Sequence, residues 1–297
     1  MYVVAGVSGQ TGRAAAESML EAGRPVRVLV RDPEKGEEWR RRGAEVAVAS
    51  LDDAPAVSRA LAGAEGAYLL VPPAYADEDV LGRQARFVAA MADAVRTSGV
   101  PHVVLLSSVG AQHASGIGLI LALHGAEQAM RPAARNLTIL RASYFLENWA
   151  PVLPQAREKG VLPTFLTPDR RIPMIATRDI GRAAARALAE PPEKPGARIL
   201  RLAGPRDWSP HDVAREVGAI LAGEVRLLPL PIDAAAPAMR SLGMSGNGAA
   251  LFQEMTGAVN SGLVAFDDGP VDEDWRGVLG IADVLRPILD AGGSEGV

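Results

Sequence analysis

The sequence predicts an α/β protein built on a doubly wound parallel sheet, followed by a smaller C-terminal α/β region. Three observations carry this reading. Short apolar runs alternate with helical patterns six times in the first half of the chain, as strands buried on both faces require. A glycine-punctuated turn, Gly6-Val7-Ser8-Gly9-Gln10-Thr11-Gly12, joins the first run to the first helix. From about Ser143 the alternation becomes irregular, with prolines at 151, 154, 163, 168 and 173. The expected division is a dinucleotide-binding domain over 1–148 and a smaller substrate-covering region over 149–297, with its helix 179–189 packing back on the first domain.

The first strand ends at the glycine turn, and an amphipathic helix runs from Arg13 to Ala22, stopped by Gly23. Val26 to Val30 is the second strand. Pro33 suits the first turn of a helix reaching Arg42, which Gly43 closes. Strands follow at Glu45–Ala49, Ala67–Val71, Val103–Leu106 and Leu137–Leu140. Between them fall helices at Ala54–Leu61, Val80–Thr97 and Leu119–Met130. Beyond 148 the pattern gives helices at Asp179–Ala189, Val213–Leu221, Ala234–Leu242 and Ala249–Val259, and a strand at Ile199–Leu202. Ser209 caps the second of these helices and Pro210 opens it. The tail Gly292–Val297 is expected to fray.

Each glycine of the turn has a physical task. Gly6 makes the sharp exit from the strand, Gly9 lets backbone N–H groups approach a pyrophosphate, and Gly12 lets the helix lie close to its strand. In a doubly wound sheet ligands bind beyond the carboxyl ends of the strands. The cofactor candidates on this ground are Gly6, Gly9 and Gly12, then Arg31 and Lys35, Val71 and Pro72, and Ser107. Arg31 ends the second strand, where a guanidinium pairs a 2′-phosphate, so NADP(H) is favoured over NAD(H); the alternative is Asp32 facing a free ribose.

A net charge of −4 gives no long-range attraction for nucleic acid or anionic membrane. No cysteine is present, which excludes disulfides and thiolate chemistry and fits a cytoplasmic location. The histidines at 102, 113, 124 and 211 lack metal-ligand spacing, so no metal site is expected.

GVSGQTG and LVRDPEK resemble the glycine turn and second strand end of the NmrA-like group of atypical short-chain dehydrogenase/reductases. GAEVAVASLDD resembles the group's adenine-side segment, and LTILRASYFLEN its sixth strand and the run after it. Fainter likeness continues through IPMIATRDIGRAAARAL and RILRLAGPRDWSPHDVAREVG. The resemblance implies a Rossmann fold, the pyrophosphate surrounded by Gly6, Ser8, Gly9, Gln10, Thr11 and Gly12, the 2′-phosphate on Arg31 and adenine beside Leu51 and Asp52. Ser50 stands where the group usually carries an aspartate.

Most short-chain reductases use a tyrosine and a lysine four residues apart on one helix face. Four residues beyond Tyr2, Tyr68, Tyr75 and Tyr144 stand Gly6, Pro72, Asp79 and Asn148, and the dyad positions fall on Leu119 and Leu123. The standard dyad is absent. Hydride transfer to a quinone needs little acid catalysis, and three residues are candidates to assist it. Ser107 either holds a substrate carbonyl or caps the strand end. His124 either donates a proton or packs. Tyr144, with Phe145 and Trp149 near it, either stacks a flat substrate or belongs to the core.

The expected activity is NADPH-dependent hydride transfer to a quinone or small conjugated carbonyl, by a cytoplasmic protein acting on a small molecule, with a homodimer as the candidate assembly. The rival is a non-catalytic NADP(H)-binding redox sensor. A sugar-nucleotide epimerase is weakened because that chemistry also leans on the tyrosine.

Overall fold

The computed structural model describes residues 1–291; the tail expected to fray lies outside the described residues. The strands are β1 (Tyr2–Ala5), β2 (Val26–Val30), β3 (Glu45–Val48), β4 (Gly66–Leu69), β5 (His102–Ser108), β6 (Asn136–Ala142), β7 (Tyr144–Phe145), β8 (Val161–Thr164), β9 (Ile172–Ile175), β10 (Gly196–Ala203), β11 (Asp207–Trp208), β12 (Arg226–Pro229) and β13 (Glu273–Arg276). The helices are α1 (Gln10–Glu21), α2 (Glu37–Arg41), α3 (Ala54–Leu61), α4 (Val80–Ser98), α5 (Leu121–Met130), α6 (Leu153–Lys159), α7 (Thr177–Ala189), α8 (Pro210–Leu221), α9 (Ala235–Ser241), α10 (Gly246–Ser261) and α11 (Ile281–Ala291).

Eight parallel strands form the main sheet in the order β13-β10-β6-β5-β4-β1-β2-β3. The chain builds outward from β1 to β3, then crosses back to β4 and builds the other way. The reversal opens a crevice at the carboxyl ends of β1 and β4, where the glycine turn sits. Val3, Leu69, Leu105 and Ile139 fill one face of the sheet, against Val57 of α3 and Val88 and Met91 of α4. Val4, Val28, Tyr68 and Leu140 fill the other, against Ala15 and Met19 of α1 and Ile180 and Ala184 of α7. A third cluster, with Leu146, Trp149, Leu162, Trp208, Val217 and Leu285, forms the core of the C-terminal half.

Helix ends follow their capping chemistry. Asp53, Asp79, Ser209 and Ser245 each accept a hydrogen bond from a backbone N–H of the first turn that follows. Gly99 ends α4 at φ +67°. The helix expected over Pro33–Arg42 is split into a 3-10 turn, Pro33–Gly36, and α2. Asp32 caps that turn, which presses Gly36 against Val46: a Cβ there would lie 2.5 Å from Val46 Cγ1. The helix expected from Leu119 likewise opens as a 3-10 turn over Gly118–Ile120.

Two strands of the main sheet, β10 and β13, come from beyond residue 149, so the sheet runs across the expected division. α7 lies on α1 at backbone distance, for a Cβ on Gly181 would fall 2.4 Å from Ala14 Cβ. The remaining strands form a three-stranded sheet, β11-β9-β7, and a two-stranded one, β12-β8. No helix among the described residues is long and apolar enough to cross a membrane.

Candidate functional site

The glycine turn is shaped by close approach. Gly6 has φ +71°, and a Cβ there would also lie 2.6 Å from Leu70 Cδ2. A Cβ on Gly12 would fall 2.4 Å from the carbonyl oxygens of both Ala5 and Gly6. Between them the Gly9 N–H donates to the Gly6 carbonyl at 2.9 Å, and Ser8, Gly9 and Gln10 are exposed. Gly9 caps α1 with no side chain of its own, and the first turn carries no acidic residue. The helix therefore presents unobstructed N–H groups and its positive dipole end to the crevice, which suits a pyrophosphate. Thr11 is buried beneath the turn.

At the end of β2 a cleft of about 240 Å³ is lined by Ser8, Val30, Arg31, Asp32 and Lys35. Arg31 and Lys35 are exposed and have no ion-pair partner among the described residues. Asp32 accepts the Glu34 N–H at 3.0 Å, which ties its carboxylate to the turn. The cleft thus joins two cations without such a partner and one carboxylate to Ser8 of the glycine turn.

Leu51 is buried, and the Asp52 carboxylate is taken up twice. It pairs with Arg83 Nη2 at 2.8 Å, and hydrogen bonding from Ser50 leads the effects that hold its pKa below the ordinary carboxylate range. Ser50 is thus tied to the aspartate two residues on. Arg83 also lies over the Phe87 ring at 4.5 Å. Val71 and Pro72 follow β4, half-buried, and the Pro72 carbonyl accepts from Gln84 Nε2 at 3.3 Å.

Ser107, expected to face ligand, is buried and donates its hydroxyl to Glu127 Oε1 at 2.6 Å. Glu127 in turn receives Arg141 Nε at 2.9 Å and Nη2 at 2.7 Å. The three residues knit β5, α5 and β6 together beneath the carboxyl edge of the sheet. Ser108 points elsewhere and donates to the Val109 carbonyl at 2.8 Å.

His124, on α5, is half-buried, and its Nδ1 lies 2.9 Å from the Ala111 carbonyl. A carbonyl only accepts, so the neutral ring carries its proton on Nδ1 and leaves Nε2 with a lone pair. Nε2 has no partner among the described residues. Tyr144 is half-buried after β6 and meets Trp149 edge to face, with ring centroids 6.4 Å apart. Burial pushes its phenol up to about 12, opposed by a hydrogen bond with Asn148.

Sequence reasoning assigned no role to Glu127, Arg141 or Arg83. A charge inside the apolar run Leu137 to Ala142, and another inside the apolar face of α5, were the available signals for the first two. Glu147 was likewise unassigned; it accepts the Thr177 N–H at 2.9 Å and its hydroxyl at 2.6 Å, fixing the start of α7.

The sequence profile of the NmrA-like family matches residues 2–230. Among characterised proteins the chain is 27% identical to an NAD(P)H azoreductase of Xenophilus azovorans over 246 residues, 82% of each chain. It is 26% identical to quinone oxidoreductase 2 of Escherichia coli strain K12, over 90% of this chain and 91% of that one. The crystal structure of an NADPH-dependent quinone oxidoreductase from Escherichia coli complexed with NADPH superposes with a TM-score of 0.77 at 25% identity, covering 90% of this chain and 92% of the other.

Proposed function

The chain belongs to the NmrA-like family, and from that premise we propose that it is an NADPH-dependent oxidoreductase that passes a hydride directly to a quinone, a dye or a small conjugated carbonyl. The observation that carries the proposal is the continuity of the glycine turn with the cationic cleft. Gly6, Ser8, Gly9, Gln10 and Gly12 offer a pyrophosphate its backbone cradle, while Arg31 and Lys35 stand free for a 2′-phosphate. Thr11 supports the turn from below. Leu51 and Asp52 would hold the adenine end of the cofactor, and Val71, Pro72 and the strand end at Ser107 its nicotinamide end. The likeness to an azoreductase and to quinone reductases supports the substrate class.

Bound NADPH supplies the hydride. The protein's contribution is binding, orientation and a proton for the oxygen that gains charge. We assign that role to His124: a ring protonated on both nitrogens would donate from Nε2 and keep the Nδ1–H that meets the Ala111 carbonyl. Tyr144 offers its half-buried ring to a flat substrate, and the core residue Trp149 supports that ring from behind, edge to face. Ser107 acts through Glu127 and Arg141, keeping the ends of β5 and β6 in register. Under this reading the protein works in the cytoplasm on a small molecule.

Purified protein mixed with NADPH and a panel of quinones, azo dyes and enals is the test. Oxidation of NADPH well above the rate in buffer, with His124→Gln lowering kcat, is expected. Tight NADPH binding with no turnover on any acceptor would overturn the proposal in favour of a redox sensor.

A further inference from the structure

We propose that Asp268, distant in sequence from every residue assigned above and beyond the segment matched by the family profile, is a positioning residue for His124. The inference rests on His124 being the proton donor. It begins with the segment 109–117, which joins β5 to the 3-10 turn before α5 and carries the carbonyl that fixes the His124 ring.

That segment is held from outside by the chain between α10 and β13. Val264 packs on Gly110, where a Cβ would lie 2.9 Å from Val264 Cγ2, and joins a cluster with Ala111 and Ile117. Asp268 then takes both polar side chains at the next positions. His113 Nε2 lies 2.8 Å from Asp268 Oδ2, and Gln112 Nε2 donates to the same oxygen at 3.2 Å and to the Asp268 carbonyl at 3.4 Å. Ala111 stands between these two anchors. Its N–H donates to the Ser108 carbonyl at 3.1 Å, and its own carbonyl meets His124 Nδ1 at 2.9 Å.

The consequence for chemistry is specific. The Ala111 carbonyl selects the tautomer with Nε2 free, and only Nε2 lacks a protein partner. If the segment slides, the ring can take the other tautomer or turn, and the nitrogen that receives and delivers protons loses its fixed place. Asp268 itself is 47% exposed and its His113 partner 27% exposed, so the contacts matter little to global stability and much to where the segment lies. Substituting Asp268 is therefore compatible with a folded protein.

The test reads the ring directly. In protein labelled with nitrogen-15 at histidine, which occurs four times, the ring nitrogens of His124 report its tautomer by NMR. Asp268→Ala is expected to move the His113 signals and to convert His124 from a single Nδ1–H form into a mixture. The same variant should lose about tenfold in kcat with a quinone, within the roughly hundredfold that misplacement by about an ångström can cost, while KM for NADPH stays unchanged. Asp268→Asn, which keeps an acceptor for Gln112, should recover much of both. Gln112→Ala combined with His113→Gln removes the same contacts from the other side and should reproduce the His124 change. A His124 spectrum unaltered in Asp268→Ala or in the double variant overturns the inference. Absence of quinone turnover in the wild type would instead overturn the proposed function, with the His124 spectrum still judging the contact.

Discussion

Arg141 and Glu127 meet side on in the protein interior, Nε 2.9 Å from Oε1 and Nη2 2.7 Å from Oε2. Both side chains are almost fully buried, at 5% and 1% exposure. Desolvating two charges offsets most of their attraction, so the pair owes its tolerance to its two direct hydrogen bonds and to the Ser107 hydroxyl as a further donor to Glu127, although Arg141 Nη1 is buried without a partner among the described residues. Breaking it from one side strands a buried charge. Arg141→Met alone is expected to cost about 3–5 kcal/mol in urea unfolding, whereas Arg141→Met with Glu127→Leu should recover most of that loss. A double variant no more stable than the single one would show that the pair contributes more than mutual neutralisation.

Gly12 offers a sharper test of the turn. A methyl group there would overlap two main-chain oxygens at 2.4 Å, and neither can move without shifting β1 or α1. Gly12→Ala should therefore lower stability by about 1–3 kcal/mol, as overpacking does, and weaken NADPH binding by at least tenfold as measured calorimetrically. Gly23→Ala is the control for a glycine outside the turn: it strains a φ of +67°, but no atom lies within 4 Å of its absent Cβ. It should affect stability alone.

Arg31 and Lys35 line the cleft without ion-pair partners, so their charges are available to an incoming anion. Removing a charge that pairs a phosphate costs roughly 2–4 kcal/mol of binding, whereas NADH has no phosphate at that place. Arg31→Ala is expected to raise Kd for NADPH by about thirtyfold or more and to change Kd for NADH little. Equal effects on the two cofactors would move the 2′-phosphate elsewhere, and the loss should shrink as salt rises.

The alternating half of the fold was open to sequence reading because each buried parallel strand is a continuous apolar run and each turn carries a glycine, proline or aspartate at its corner. The turn geometry of Gly6 and Gly12 was legible for the same reason: their positions relative to a strand end imply the sharp exit and the close approach that the structure has. The C-terminal half resisted, because β7, β8, β9, β11 and β12 have two to four residues and Pro163, Pro173 and Pro229 lie inside them. Such short ribbons tolerate proline at positions that need no ladder donor. Ser107 shows another limit. A serine at a strand end reads as ligand-facing until Glu127, twenty residues on, is known to lie within 2.6 Å of it.

Tyr144 leads to a prediction in pH. Burial raises its phenol to about 12, so the hydroxyl stays protonated throughout the range in which the protein is handled. A phenol held that high is a poor acid near neutrality, in contrast to one lowered by a neighbouring lysine. The rate with a quinone should show no step from Tyr144 between neutral pH and about 10, and Tyr144→Phe should alter KM for the acceptor more than kcat. A step near 10 that disappears in Tyr144→Phe would identify the phenol as the acid and displace His124.

Asp212 is the clearest case of stability tied to pH. Burial alone would raise its pKa, yet the Ser209 N–H and hydroxyl at 3.0 and 3.1 Å, with Arg215 and Arg171 beside it, bring it down to about 2. Because the folded value lies below the unfolded one, the carboxylate stabilises the protein above the ordinary aspartate range and loses that contribution as pH falls towards about 2. Asp212→Asn should therefore be less stable than wild type by about 2 kcal/mol at neutral pH. The gap, followed by urea titration at decreasing pH, should close across the interval from just below 4 to about 2. A gap that stays constant through that interval would mean that the side chain acts as a neutral cap of α8 and that its charge contributes nothing.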